Sequence, residues 1–142
     1  MTEMKLKLKW RVLAYERCDL LKKYELINQT FKYTDDKFCH AFYQIRALRD
    51  FGDVKKGELG GFVEYEHNLS HDGDCWVYGN AKVFENAWIS GNAQITGDAQ
   101  ISGNAIISGN AQISGNTTIY GNAKISGYST ITGNSKKIKN TR

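Results

Sequence analysis

From Gly79 to Asn134 the chain repeats Gly-Asn-Ala-x-Ile-Ser every six residues with few breaks. A fixed short period decides the fold before any other feature is weighed. The run opens Gly79-Asn80-Ala81-Lys82-Val83-Phe84, continues with Glu85-Asn86-Ala87-Trp88-Ile89-Ser90 and closes at Gly133-Asn134-Ser135. Counting back in sixes from Ile89 gives Val83 and Val77, after which the phase slips by two to Leu69 and Val63, as if His71-Asp72 were inserted. Twelve aliphatic positions result: Val63, Leu69, Val77, Val83, Ile89, Ile95, Ile101, Ile107, Ile113, Ile119, Ile125 and Ile131.

Each aliphatic residue and the small residue two places before it (Ala81, Ala87, Ala93, Ala99, Ala105, Ala111, Thr117, Ala123, Ser129) are expected to point inward, so that large and small alternate around a narrow tube. Gly-Asn falls at the corner, where the chain turns sharply and positive φ is tolerated by Gly, Asn and Asp. Three hexads close one triangular coil, and four coils stacked at ~4.8 Å make a prism roughly 19 Å long. The predicted fold is all-β: a left-handed parallel β-helix of about four triangular coils, with a small N-terminal antiparallel β cap. The absence of proline fits, because every strand residue is needed in the ladder between coils.

Upstream, residues 4–12 alternate without error, with Met4, Leu6, Leu8, Trp10 and Val12 on one face and Lys5, Lys7, Lys9 and Arg11 on the other. This is the period of a half-buried strand. Its basic row is either a ladder for phosphates or an acidic protein surface, or a solvated face that guards an edge strand. Residues 16–23 suggest a short helical turn. Tyr24–Ile27, Thr30–Tyr33 and Phe38–Leu48 read as strands separated by turn clusters at Asn28-Gln29 and residues 34–37, and Arg49–Gly61 reads as an irregular, glycine-rich connector. The organisation is therefore cap and connector over 1–61, left-handed β-helix over 62–135 and a basic C-terminal tail over 136–142.

The net charge of +4 divides unevenly, with 13 Lys and Arg against 9 Asp and Glu in residues 1–61, 2 against 6 in 62–135 and 4 against none in 136–142. Three cysteines, Cys18, Cys39 and Cys75, match neither a zinc ribbon nor a disulfide framework and favour a reducing compartment. With no apolar leader and no apolar stretch of ~20 residues, the expectation is a soluble cytoplasmic protein with no membrane contact.

The segment Ala47-Leu48-Arg49-Asp50-Phe51-Gly52-Asp53-Val54-Lys55-Lys56-Gly57-Glu58-Leu59-Gly60-Gly61-Phe62-Val63-Glu64, followed by Asn68-Leu69-Ser70 and Gly73-Asp74-Cys75-Trp76-Val77-Tyr78, resembles the opening of hexapeptide-repeat proteins encoded by bacteriophages and prophages. That group is related to an enterobacterial hexapeptide-repeat acyltransferase. The resemblance spans roughly Lys23 to Asn134 and implies the left-handed β-helix with its small cap, and a phage or prophage origin. The first twenty or so residues depart from the pattern.

Catalysis of the acyltransferase kind would rest on a histidine base, and His71, in the insertion, is the candidate; a base also needs an orienting partner and a cleft. A zinc site would need three converging histidines, and with His40 placed in the cap, His67 and His71 do not supply it. His67 falls in an inward small-residue slot. No cofactor or metal is expected. Outward positions in the early coils are aromatic (Phe62, Trp76, Tyr78, Phe84, Trp88), whereas later coils show Gln, Ser and Thr. Either the cap covers these rings or they form an interface, for which Trp and Tyr are suited. Trp88, Ile106 and Lys124 should stack in one row. Only Thr130-Ile131-Thr132 carries the paired threonines that an ice-binding face repeats.

The leading expectation is a non-enzymatic, phage-type protein acting through protein contacts, as an effector that inhibits a host protein or as an oligomeric structural part. Its contact residues would be Trp76, Tyr78, Phe84, Trp88 and Ile106 with the basic row Lys5, Lys7, Lys9 and Arg11. The alternatives are an acyltransferase using His71, and binding of nucleic acid or an acidic surface through the basic strand.

Overall fold

Parallel pairing at intervals of 18 residues dominates a computed structural model of the chain, which describes residues 22–33, 39–132 and the pair 137–138. Each hexad contributes a two-residue strand, and three faces result. The first stacks Lys82–Val83, Gln100–Ile101, Thr118–Ile119 and Lys137–Ile138; the second stacks Trp76–Val77, Gln94–Ile95, Gln112–Ile113 and Thr130–Ile131; the third stacks Trp88–Ile89, Ile106–Ile107 and Lys124–Ile125. The parallel β-helix of about four turns expected from the hexads is the fold of this chain.

All twelve aliphatic positions are buried, as are Ala81 to Ala123 and Thr117 in the small slot. Thr117 keeps its hydroxyl satisfied by donating to the Ser114 carbonyl at 2.8 Å. Ser129 is exposed, and its hydroxyl donates to the Ser126 carbonyl at 2.8 Å. At the corners glycine is needed twice over. Gly97 has φ +69°, and a Cβ there would lie 2.8 Å from the Gly115 nitrogen in the next coil. Beside the glycines, asparagine side chains bond from coil to coil, Asn86 donating to Asn104 at 3.3 Å and Asn104 to Asn122 at 3.2 Å.

The phase slip is real. Val63 pairs with Val83, and Leu69 bridges to Ile89, each twenty residues on, whereas Trp76 pairs with Gln94, eighteen on. The two extra residues therefore lie between Leu69 and Trp76. At the other end, Lys137–Ile138 pairs in parallel with Thr118–Ile119. Within the expected basic tail, Lys137–Ile138 thus adds a rung to the array.

Strands β1 (Tyr24–Tyr33), β2 (Cys39–Ala47) and β3 (Leu59–Val63) form the cap. Asn28-Gln29 is a bulge within β1 and not the turn expected between two strands. Ile27 faces Gln44 and Thr30 faces Phe42, so two residues oppose Tyr43 alone, with Asn28 at φ 49°. Gln29 donates to the Tyr43 hydroxyl at 2.7 Å and Asn28 to the Gln44 side chain at 3.2 Å, which holds the bulge.

β3 joins the two halves. It pairs antiparallel with β2 and parallel with Lys82–Val83, so cap and first face form one seven-stranded sheet. Gly60 and Gly61 permit this close approach. A Cβ on Gly61 would stand 2.6 Å from the Ala81 carbonyl oxygen and from Val77 Cγ1, and one on Gly60 2.6 Å from the Val77 carbonyl oxygen and 2.8 Å from Trp76 Cε2. Gly61→Ala is expected to cost about 1–3 kcal/mol or more, as overpacking against backbone does. Chemical denaturation checks this, and an unchanged midpoint would refute the packing argument.

Candidate functional site

The chemistry-bearing side chains gather where the cap meets the first coil. Lys23, just before β1, and Tyr24, its first residue, lock onto the inserted loop and its approach. Lys23 is fully buried and donates through Nζ to the Cys75 carbonyl at 2.7 Å, the Gly73 carbonyl at 3.1 Å and Cys75 Sγ at 3.3 Å, with Nζ 4.8 Å from the Phe51 ring centre. Burial lowers its amino group from the ordinary lysine value, with Cys75 opposing; burial likewise pushes the Cys75 thiol up, with Lys23 opposing. The Tyr24 hydroxyl shares its proton between the carbonyls of Glu66 (2.7 Å) and Leu69 (2.5 Å), and burial raises its pKa strongly.

His71 stacks on Tyr24 with ring centres 4.2 Å apart. Its Nδ1 accepts the Lys23 backbone N–H at 3.2 Å, which leaves the proton of the neutral ring on Nε2, facing Glu66 Oε2 at 3.2 Å. Both ring nitrogens are thus engaged within the fold, so neither offers a free lone pair to a substrate proton. Burial lowers the His71 pKa against the upward pull of Glu66. A proton on Nδ1 would also set two donors against each other.

A second cluster lies across the first face. His40 Nδ1 sits 2.8 Å from Glu64 Oε2, and Glu64 Oε1 accepts the Glu85 backbone N–H at 2.9 Å. Glu85 stands where other hexads place glycine and adopts φ 57°, a conformation that costs an L-residue roughly 1–2 kcal/mol. Offsetting contacts surround it: its Oε1 accepts the Gly103 N–H at 3.0 Å, and its carbonyl accepts from Asn68 Nδ2 at 3.1 Å.

The aromatic positions separate. Trp76 does not face outward to a partner as expected. Its ring is fully buried beneath Phe51 and Tyr24, with ring centres 5.2 and 6.2 Å away, because the connector folds over it. Phe84 is half-buried against His40 and Phe42, at 5.1 and 5.5 Å. Tyr78 is half-buried beside the connector. Trp88 remains 46% exposed, and it stacks in register over Ile106 and Lys124 as the period requires. Next to it, Glu66, His67, Leu69, Ser70 and His71 line a shallow hollow of about 340 Å³. His67 is not in the inward slot. A short 3-10 turn, Glu66–Asn68, turns it out against Tyr65 and buries Asn68, which donates to the Ala87 carbonyl at 2.8 Å.

Lys5, Lys7, Lys9 and Arg11 lie outside the described residues, as does Cys18. Among the described residues no three His, Cys, Asp or Glu side chains group as metal ligands, and no helix is long and apolar enough to cross a membrane. Sequence reasoning missed Lys23 and Tyr24, since nothing local distinguishes a buried lysine from a surface one. The nearest signal was Gly60-Gly61, which marks close approach.

The His71 geometry carries a pH dependence. Folding favours the neutral ring, so stability is expected to be full above about pH 6.5 and to fall as the pH drops through that value toward the lowered native pKa. Thermal melts between pH 7.5 and 4.5 test it against His71→Asn, whose loss of stability on acidification should be visibly smaller. Parallel curves would show that His71 does not carry the effect.

The repeat profile described as "YdcK Beta solenoid repeat" matches residues 99–115 and 111–127. Those two matches begin two hexads apart. Over 72 residues the chain is 38% identical to a protein named "Uncharacterized acetyltransferase YdcK" from Escherichia coli (strain K12), an alignment covering 47% of this chain and 22% of that protein. The chain thus spans about a fifth of that relative's length. By its pairing and its repeats it is a hexapeptide-repeat β-helix, similar to the YdcK solenoid.

Proposed function

We propose that this chain works by contact, as a rigid β-helical protein that docks on another protein through its third face, rather than as a catalyst. The observation that carries this reading is Trp88. It is a large ring, 46% exposed, and unlike the other exposed rings, Tyr65 and Tyr128, it lies directly over an outward aliphatic residue, Ile106, beside a shallow hollow. Exposed tryptophan next to an aliphatic neighbour is the kind of anchor that dominates protein interfaces. A stacked ladder presents it at little ordering cost. Around it the charge is mixed, with Glu66 paired to Lys22 at 3.5 Å and Lys124 next to Ile106 in the same stack, so the apolar ring and not a charged border carries the contact.

Acetyl transfer, the activity in the relative's name, would need a base with a free lone pair. His71 spends both nitrogens inside the fold. Binding of coenzyme A that is lost in His71→Ala would support that activity and count against the contact reading. In the favoured case, the chain recovers a bacterial protein stoichiometrically from lysate, or forms a defined oligomer by solution mass. Trp88→Ala, an exposed change that should leave the fold intact, is expected to weaken that association by about 2 kcal/mol, roughly 30-fold. Association unaffected by Trp88→Ala would remove the third face from consideration.

A further inference from the structure

The second face carries a groove that neither the contact surface nor the cap junction uses. Its volume is about 420 Å³, within the ~300–1,000 Å³ range of small-ligand sites. One wall is the corner column Asp74, Asn92, Asn110 and Tyr128, each one coil beyond the last; the floor is Gln94 and Gln112, paired in register; and Asp53 and Tyr78 close the end beneath the connector. The groove therefore runs along the helix axis, and its polar groups recur at the coil step of ~4.8 Å.

The corner amides are ordered by their own chain of bonds. The Asp74 backbone N–H donates to Asn92 Oδ1 at 3.1 Å, and Asn92 Nδ2 donates to Asn110 Oδ1 at 3.2 Å. By contrast, the Gln94 and Gln112 amides and the Asp53 and Asp74 carboxylates bond to no protein side chain or backbone group among the described residues. Tyr128 is 85% exposed, with no ring stacked on it among the described residues.

This chemistry selects a ligand class. No lysine or arginine lines the groove and two carboxylates do, which disfavours phosphates and nucleic acids. An extended peptide advances ~3.3 Å per residue and falls out of step with the coil spacing. An extended, equatorially linked saccharide chain advances by nearly one coil step per sugar and turns about half a revolution between neighbours, so each amide meets an opposite hydroxyl edge. Each amide offers a donor and an acceptor side by side, which suits neighbouring hydroxyls. Exposed tyrosine rings suit the C–H faces of sugar rings. We propose that this groove binds a neutral, extended oligosaccharide along the helix axis, with Gln94 and Gln112 bonding successive sugars, Asp53 and Asp74 taking hydroxyls at the connector end and Tyr128 stacking at the other.

The test is titration of the full chain, followed by amide NMR and calorimetry, with cellotetraose and tetra-N-acetylchitotetraose as probes and curved maltotetraose as the control. Millimolar or tighter binding of an extended tetraose is expected, with shifts at Asn92 and Asn110 and with maltotetraose at least about tenfold weaker. Tyr128→Ala and the double change Gln94→Ala with Gln112→Ala should each weaken binding about tenfold or more. Trp88→Ala, on the third face, should not alter it, which separates this site from the contact surface. The proposal is overturned if neither extended tetraose binds, if maltotetraose binds equally, or if both groove variants bind as the parent does.

Discussion

The whole array depends on the bond from a backbone N–H in one coil to a carbonyl in the next, repeated from Phe62 to Ala81 at one end and from Ser114 to Ile131 at the other. Such a ladder holds only if every coil has the same outline. That requirement explains the chemistry of the hexad: a stacked glycine where coils would otherwise clash, alanine opposite isoleucine to keep the bore constant, and asparagine to tie corners together. The interior is one continuous column of Val, Ile, Leu and Ala, so the cost of emptying a slot is shared by the coils on either side of it.

A ladder has ends, and its first rung must be covered. β3 does this by belonging to two kinds of sheet, taking antiparallel β2 on one side and a parallel coil on the other. The buried Trp76, the triply bonded Lys23 amino group and the Tyr24 hydroxyl then pin the cap to the coil. The Lys23 and Tyr24 bonds are polar and are buried together with the Trp76 ring, so each relies on the others being in place.

Most of the array was legible in the sequence, because a six-residue period leaves one solution for each side chain. The period places Val63 to Ile131 inward, and spacing alone sets Trp88 over Ile106. The slip at His71-Asp72 was also visible. What lay beyond reach was tertiary. Trp76 occupies an outward position in its hexad, and the connector and Tyr24 passing over it make it core. His67 was assigned inward by the period but is turned out by a local 3-10 turn that the period cannot register. Asn28-Gln29 has turn composition, yet the pairing of its neighbours makes it a bulge. The groove is spread over residues eighteen apart, each an ordinary surface amide by itself.

The two extra residues at His71-Asp72 have a consequence for the molecule as an object. Without them the period would be unbroken, and the first coil would present a ladder edge like any other. The loop they create gives Lys23 the Gly73 and Cys75 carbonyls to hold and Tyr24 the His71 ring to stack on, and so ties the cap to the first coil. A solenoid with a perfect period is open to further coils from other chains. The irregularity, with the cap held against it, covers this one at its first coil.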